Sequence, residues 1–127
     1  MSQSELLKHK SLLYVEDEDI ARMSIGTFLR RQVGTLLLAA NGSEGLDLYH
    51  EHRPAVVITD LEMPVMNGME MIRKIREQDE TIPIIITTAY DDEAHYCPEA
   101  DRTILKPINF MELLQAVQDC LPAQESE

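Results

Sequence analysis

The chain has 127 residues, 44% of them hydrophobic, and a formal charge of −12 from 23 acidic against 11 basic side chains. That length suits one domain able to bury roughly two-thirds of its unfolded surface, so disorder is excluded and no stapling is required. The acidic balance excludes direct binding of nucleic acid or of an anionic membrane, since both are held through Lys and Arg. Uncharged apolar stretches such as Ile82 to Ala89 fall far short of the ~20 residues of a membrane span. The opening MSQSELLKHK lacks a secretory apolar region. A cytoplasmic protein is therefore expected, with Cys97 and Cys120 reduced and outside any metal-ligand spacing.

In chain order, the first short apolar run is Ser11 to Val15, and it delivers the acid pair Glu16-Asp17. Ala21, Ile25, Phe28 and Leu29 then recur at helical spacing as a one-sided apolar stripe. A second strand is predicted over Thr35 to Ala39, followed by a weakly marked helix from about Ser43 to His52. The third run, Ala55 to Thr59, ends at Asp60, and Pro64 and Gly68 break the chain behind it. Asn67 with Glu70 signals a helix start, and Met71, Ile72 and Ile75 form its apolar face. Ile82 to Thr87 is the fourth strand, ending at Thr88. Pro98 interrupts the segment Asp91 to Asp101, which predicts one short helical turn at most. Arg102 to Leu105 is the fifth strand, with Lys106-Pro107 behind it. Asn109 with Glu112 opens the last helix, whose stripe is Leu113, Leu114, Val117 and Leu121.

Strands that read as unbroken apolar runs suit burial on both faces, and their alternation with helices calls for a parallel sheet. The expectation is one α/β domain spanning 1–127, with a (βα)5 core over about 11–121 and a polar tail at 122–127.

The polar residues carry the functional signal. Glu16-Asp17, Asp60, Thr88 and Lys106 all stand just past the C-terminal ends of strands, where open parallel α/β sheets bind ligands. Taken singly, each has an ordinary explanation as a turn residue, a β-former or a solvated lysine. Taken together, three crowded carboxylates would raise one another's pKa unless they shared a cation, and Mg2+ suits such oxygen donors. A metal and a lysine beside a carboxylate nucleophile are what phosphoryl transfer requires, with Thr88 placed to hydrogen-bond the arriving group.

These residues resemble the receiver domains of bacterial two-component response regulators, from Leu12 to Leu121. The carrying motifs are Glu16-Asp17, Asp60 followed by Met63-Pro64 and Asn67-Gly68, Thr88-Ala89, and Lys106-Pro107. The resemblance implies a flavodoxin-like, doubly wound sheet of order 2-1-3-4-5. It implies that Asp60 is the phosphoacceptor, that Asp17, Asp60 and the Glu62 backbone carbonyl ligate Mg2+, and that Glu16 holds a metal-bound water. Thr88 would be the switch hydroxyl, Lys106 the cation paired with it, and Lys106-Pro107 a cis peptide. A histidine kinase or phosphotransfer protein is the implied donor, and an output domain or effector protein the implied recipient. Homodimer formation has no motif of its own and stays open.

Three departures from the family pattern shape the expectations. Glu16 replaces the commoner Asp of the acid pair, a change that keeps the charge. Tyr90 to Leu105 is about one helical turn short, so the fourth helix should be truncated. Thr103 stands where an aromatic switch residue is common. Glu62 and Tyr90, two residues beyond Asp60 and Thr88, flank the approach of a hydrolysing water, and a bulky Tyr90, beside small Ala89, predicts slow self-dephosphorylation.

Two other classes compete. A haloacid-dehalogenase-like phosphatase also uses an aspartate nucleophile, but wants a second aspartate where Glu62 stands. A flavodoxin-like flavin carrier would need a phosphate-cradling first loop, and Glu16-Asp17-Glu18-Asp19 would repel phosphate. A signalling switch, not an enzyme with a turnover of its own, is the favoured reading. His50, His52 and His95 read as solvated or structural, and the methionines from Met63 to Met71 as packing.

Overall fold

Successive residues of a strand point to opposite faces, so a strand apolar at every position feeds two cores. In β1 (Ser11–Val15), Leu12 and Tyr14 enter one buried cluster while Leu13 and Val15 enter the other. The structure, a computed structural model, describes residues 2–121, and the polar tail expected at 122–127 lies outside them. β2 (Thr35–Ala39), β3 (Val56–Asp60), β4 (Ile84–Thr88) and β5 (Arg102–Leu105) complete one parallel sheet in the order β2-β1-β3-β4-β5, as expected.

Helices α1 (Gln3–Leu7), α2 (Asp19–Arg30) and α5 (Phe110–Cys120) cover one face, supplying Leu7, Ile25, Leu29, Leu113, Ala116 and Val117 to its core. Helices α3 (Gly42–His52) and α4 (Gly68–Arg76) cover the other with Tyr49, Met71, Ile72 and Ile75. Asn41, Asn67 and Asn109 each cap a helix by accepting the amide of the residue three positions on. Cys97 is buried and Cys120 half-buried, both as free thiols.

The structure departs from the sequence expectations in three places. β3 begins and ends one residue later, bringing Asp60 into the strand itself. β4 starts at Ile84 because Pro83 has no N–H to give the ladder, and Ile84 N donates instead to Asp101 Oδ2 at 2.8 Å. Helix α1 was not anticipated. Ser2 and Glu5 form a full capping box, with Glu5 N to Ser2 Oγ at 3.1 Å and Ser2 N to Glu5 Oε1 at 2.8 Å, and Leu7 packs in the core. Between β4 and β5 the expected truncation is present as a single 3-10 turn, Glu93–His95.

Candidate functional site

The parallel register brings the C-terminal ends of the strands to one edge, pairing Asp60 with Thr87 and Thr88 with Leu105. At that edge the carboxylates of Glu16, Asp17 and Asp60 each offer an oxygen within 4.8 Å of the others. Glu16 is fully buried and Asp60 only 5% exposed, so water screens their repulsion poorly. Lys106 answers this charge, with Nζ 3.1 Å from Asp60 Oδ2 and 3.3 Å from Glu16 Oε1. Burial first, and the charge of Asp60 after it, pushes the Glu16 carboxyl above its ordinary range. Burial works to lower the Lys106 ammonium, but the two carboxylates outweigh it and hold the group above its usual value.

The backbone around these groups is tied down. Asp60 Oδ1 accepts the Leu61 amide at 2.8 Å, and Glu16 Oε2 accepts that of Glu18 at 3.1 Å. Arg22, from the first turns of α2, donates to the Glu16 carbonyl at 2.8 Å and to Asp19 Oδ1 at 2.5 Å, pinning the acidic loop. Gly68 has to be glycine, since a Cβ there would lie 2.1 Å from the Asp60 carbonyl oxygen. Its amide bonds the Leu61 carbonyl at 2.8 Å, folding the loop after β3 against the strand end. Within that loop Val65 has φ 70°, and Met66 N donates to Pro64 O at 2.8 Å, a γ-turn geometry that strains a β-branched residue.

Of the expected site residues, Glu16, Asp17, Asp60 and Lys106 converge, and Lys106-Pro107 is cis. Thr88 is fully buried on the neighbouring strand, and its Oγ1 accepts the Tyr90 amide at 3.2 Å. Ala89 and Thr103 are exposed, the latter on β5 away from the cluster. Glu62 and Tyr90 are exposed, and both contact His95.

Sequence reasoning read His95 as solvated or structural and passed over Arg22 and Tyr14. The Tyr14 hydroxyl is buried on the strand that leads to Glu16 and, among the described residues, has no hydrogen-bond partner. Only the pleat period, which puts residues 14 and 16 on one face, could have pointed to it.

An all-oxygen donor set of this spacing fits a hard cation such as Mg2+ and offers nothing to a soft one. Beside the cluster, Ile20, Ala21, Ile25, Ile108 and Phe110 line a groove of about 770 Å3 that Glu16 and Lys106 also border.

The family model described as "Response regulator receiver domain" matches residues 12–118. Among curated proteins, the chain is 36% identical over 102 residues to the transcriptional regulatory protein AfsQ1 of Streptomyces coelicolor, covering 77% of this chain and 45% of that protein. It is 33% identical over 118 residues to the regulatory protein AtoC of Escherichia coli, covering 89% of this chain and 25% of that one. The chain thus spans less than half the length of these relatives. Among solved structures, the chemotaxis response regulator CheY4 of Vibrio cholerae superposes with a TM-score of 0.80 at 28% identity, covering 89% of this chain and 99% of that one.

Proposed function

The chain belongs to the response regulator receiver domain family, and from that premise we propose that Asp60 is the phosphoacceptor of a two-component phosphorelay. The observation that carries this reading is the approach of Lys106 Nζ to Asp60 Oδ2, at 3.1 Å, inside a cluster of three carboxylates. An Asp60 oxygen would attack the phosphorus of the donor, a phosphohistidine or a small acyl phosphate. The bond to the donor breaks, and its electron pair leaves with the donor. Lys106 would stabilise the charge on the transferred group, and Thr88 would exchange the Tyr90 amide for a phosphoryl oxygen.

In this reading Asp17, Asp60 and the Glu62 carbonyl would hold Mg2+, with Glu16 acting through water. Bound there, the ion supplies positive charge against the phosphoryl oxygens. The two states would differ in what Thr88 and Lys106 contact, and those contacts would bias the surface around β4 and β5. The donor would be a histidine kinase or phosphotransfer protein using the apolar groove beside Glu16 and Lys106. An output domain or effector protein, a homodimeric state and a cytoplasmic location belong to the same proposal, as does the chain acting as a single receiver domain. Glu62 and Tyr90 would set the lifetime of the phosphorylated state.

The phosphatase alternative gains no support: the Glu62 carboxylate faces His95, its Oε2 lying 3.5 Å from Nε2. The test is intact-mass analysis after incubation with acetyl phosphate and Mg2+, with the modified residue mapped. One phosphoryl group on Asp60, abolished in Asp60→Asn, is the expected result. Undiminished labelling of that variant overturns the assignment.

A further inference from the structure

Glu62 and Tyr90 sit on different loops, one after β3 and one after β4, and a single imidazole touches both. His95 Nε2 lies 3.5 Å from Glu62 Oε2. The His95 ring stacks on that of Tyr90, with centroids 4.2 Å apart and planes 14° from parallel. Asp92 holds the imidazole from behind. Its Oδ1 is 2.5 Å from His95 Nδ1 and also accepts the His95 amide at 3.1 Å, so the residue that caps the 3-10 turn orients the ring as well.

This arrangement follows from the shortened chain between β4 and β5. A helix there would have run on past Glu93–His95; the single turn instead folds back toward the loop after β3. Ala94 and His95 consequently line the same small cavity, about 430 Å3, as Leu61 and Glu62. Tyr90 is thus held twice, by its amide on Thr88 Oγ1 at 3.2 Å and by its ring on His95.

We propose that His95 is a positioning residue that prolongs the phosphorylated state by holding the Tyr90 ring across the path of the hydrolysing water. The inference rests on Asp60 being the phosphoacceptor. In the reaction it slows, a water oxygen attacks phosphorus and the bond from phosphorus to the Asp60 oxygen breaks. The carboxylate keeps the electron pair, and both hydrogens of the water leave on dihydrogen phosphate. His95 touches none of these atoms; it acts by denying Tyr90 the freedom to swing out.

The experiment labels the wild type, His95→Ala, Tyr90→Ala and the double variant with acetyl phosphate and Mg2+. The donor is then removed and the phosphorylated mass followed with time. His95→Ala should speed decay by roughly 2- to 10-fold, the equilibrium worth of one aromatic stack. Tyr90→Ala should speed it at least as much, and the double variant should decay like Tyr90→Ala alone, because both changes remove one device. Initial labelling of His95→Ala should match the wild type, and its thermal midpoint should fall by no more than the few degrees that one aromatic stack is worth. Unchanged decay in His95→Ala, or effects that multiply in the double variant, overturns the proposal. So does a lowered midpoint with slower labelling but wild-type decay, which is the signature of a purely structural role. If the wild type takes no label, the Asp60 reading itself falls, and this inference with it.

Discussion

Replacing Lys106 with Met removes the one cation among the described residues that contacts both buried carboxylates. At an effective dielectric of about 20, contacts at 3.1 and 3.3 Å each correspond to about 5 kcal/mol of attraction. The ammonium is itself partly desolvated, with 24% of its side chain exposed, and that cost is recovered when it is removed, so the net loss falls toward about 3–5 kcal/mol. A second limit comes from Glu16, which can take up a proton instead of facing Asp60 ionised. Protonating a carboxyl of ordinary value near 4.3 at pH 7 costs about 3.7 kcal/mol, so the expected destabilisation at pH 7 is about 3–4 kcal/mol. The sign with pH follows. Glu16 is an acid raised in the folded state, so its penalty is fully present above the folded value and disappears below the unfolded one. The Lys106 ammonium opposes that rise, so the penalty grows without it, and the loss in Lys106→Met should shrink as pH falls from about 7 to about 5. Mg2+ should narrow it as well, because a bound cation stabilises the folded state and takes over the pairing. Urea unfolding of both proteins at the two pH values, with and without Mg2+, measures this. A loss independent of both pH and metal would refute the argument.

Three further outcomes are expected. Gly68→Ala must displace the Asp60 carbonyl, which a Cβ would approach to 2.1 Å, and should cost about 3 kcal/mol and abolish acetyl-phosphate labelling. The control is Gly26→Ala, where the nearest atom is the flexible Leu38 Cδ2 at 3.4 Å; wild-type stability for Gly68→Ala would show that the loop can move aside. Val65→Gly relieves a left-handed φ at an exposed loop and should raise stability by about 0.5–1 kcal/mol, even after the added freedom of the unfolded chain; a lower thermal midpoint would count against strain there. Asp79 accepts the Thr81 amide at 2.8 Å, the Thr81 hydroxyl at 2.9 Å and the Ile82 amide at 3.1 Å, which holds its carboxyl below the usual range. An acid lowered in the folded state stabilises above its unfolded value and loses that contribution as pH falls through the folded one. Wild-type stability should accordingly decline below about pH 4, and more steeply than that of Asp79→Asn, while parallel acid profiles would remove Asp79 from the account.

Sheet and helices were readable because burial imposes a period. Leu12 to Val15, Val56 to Ile58 and Ile84 to Ile86 are apolar at every position because helices cover both faces of the sheet. The acidic cluster and Lys106 were readable for a related reason: a parallel sheet gathers its strand ends, so a charged residue after an apolar run is already placed in space. Helix α1 carried its own signal in Ser2 and Glu5, but five residues are too few to display helical periodicity.

What stayed hidden is held by side chains bonding to backbone across long separations, which leaves no period in the sequence. The segment between β4 and β5 forgoes a helix and therefore forgoes that helix's internal hydrogen bonds, and other groups have to replace them. Arg76 donates to the Glu99 carbonyl at 2.9 Å, to the Ile82 carbonyl at 2.8 Å and to Asp101 Oδ2 at 3.1 Å, while the same Asp101 oxygen accepts the Ile84 amide. Arg73 adds a 3.4 Å ion pair with Glu99. One end of the segment is thus clamped to the last turn of α4, and the other is capped by Asp92. Between these anchors the single turn has little freedom in where it points, which is why a histidine with no partner spacing in the sequence comes to rest between Glu62 and Tyr90.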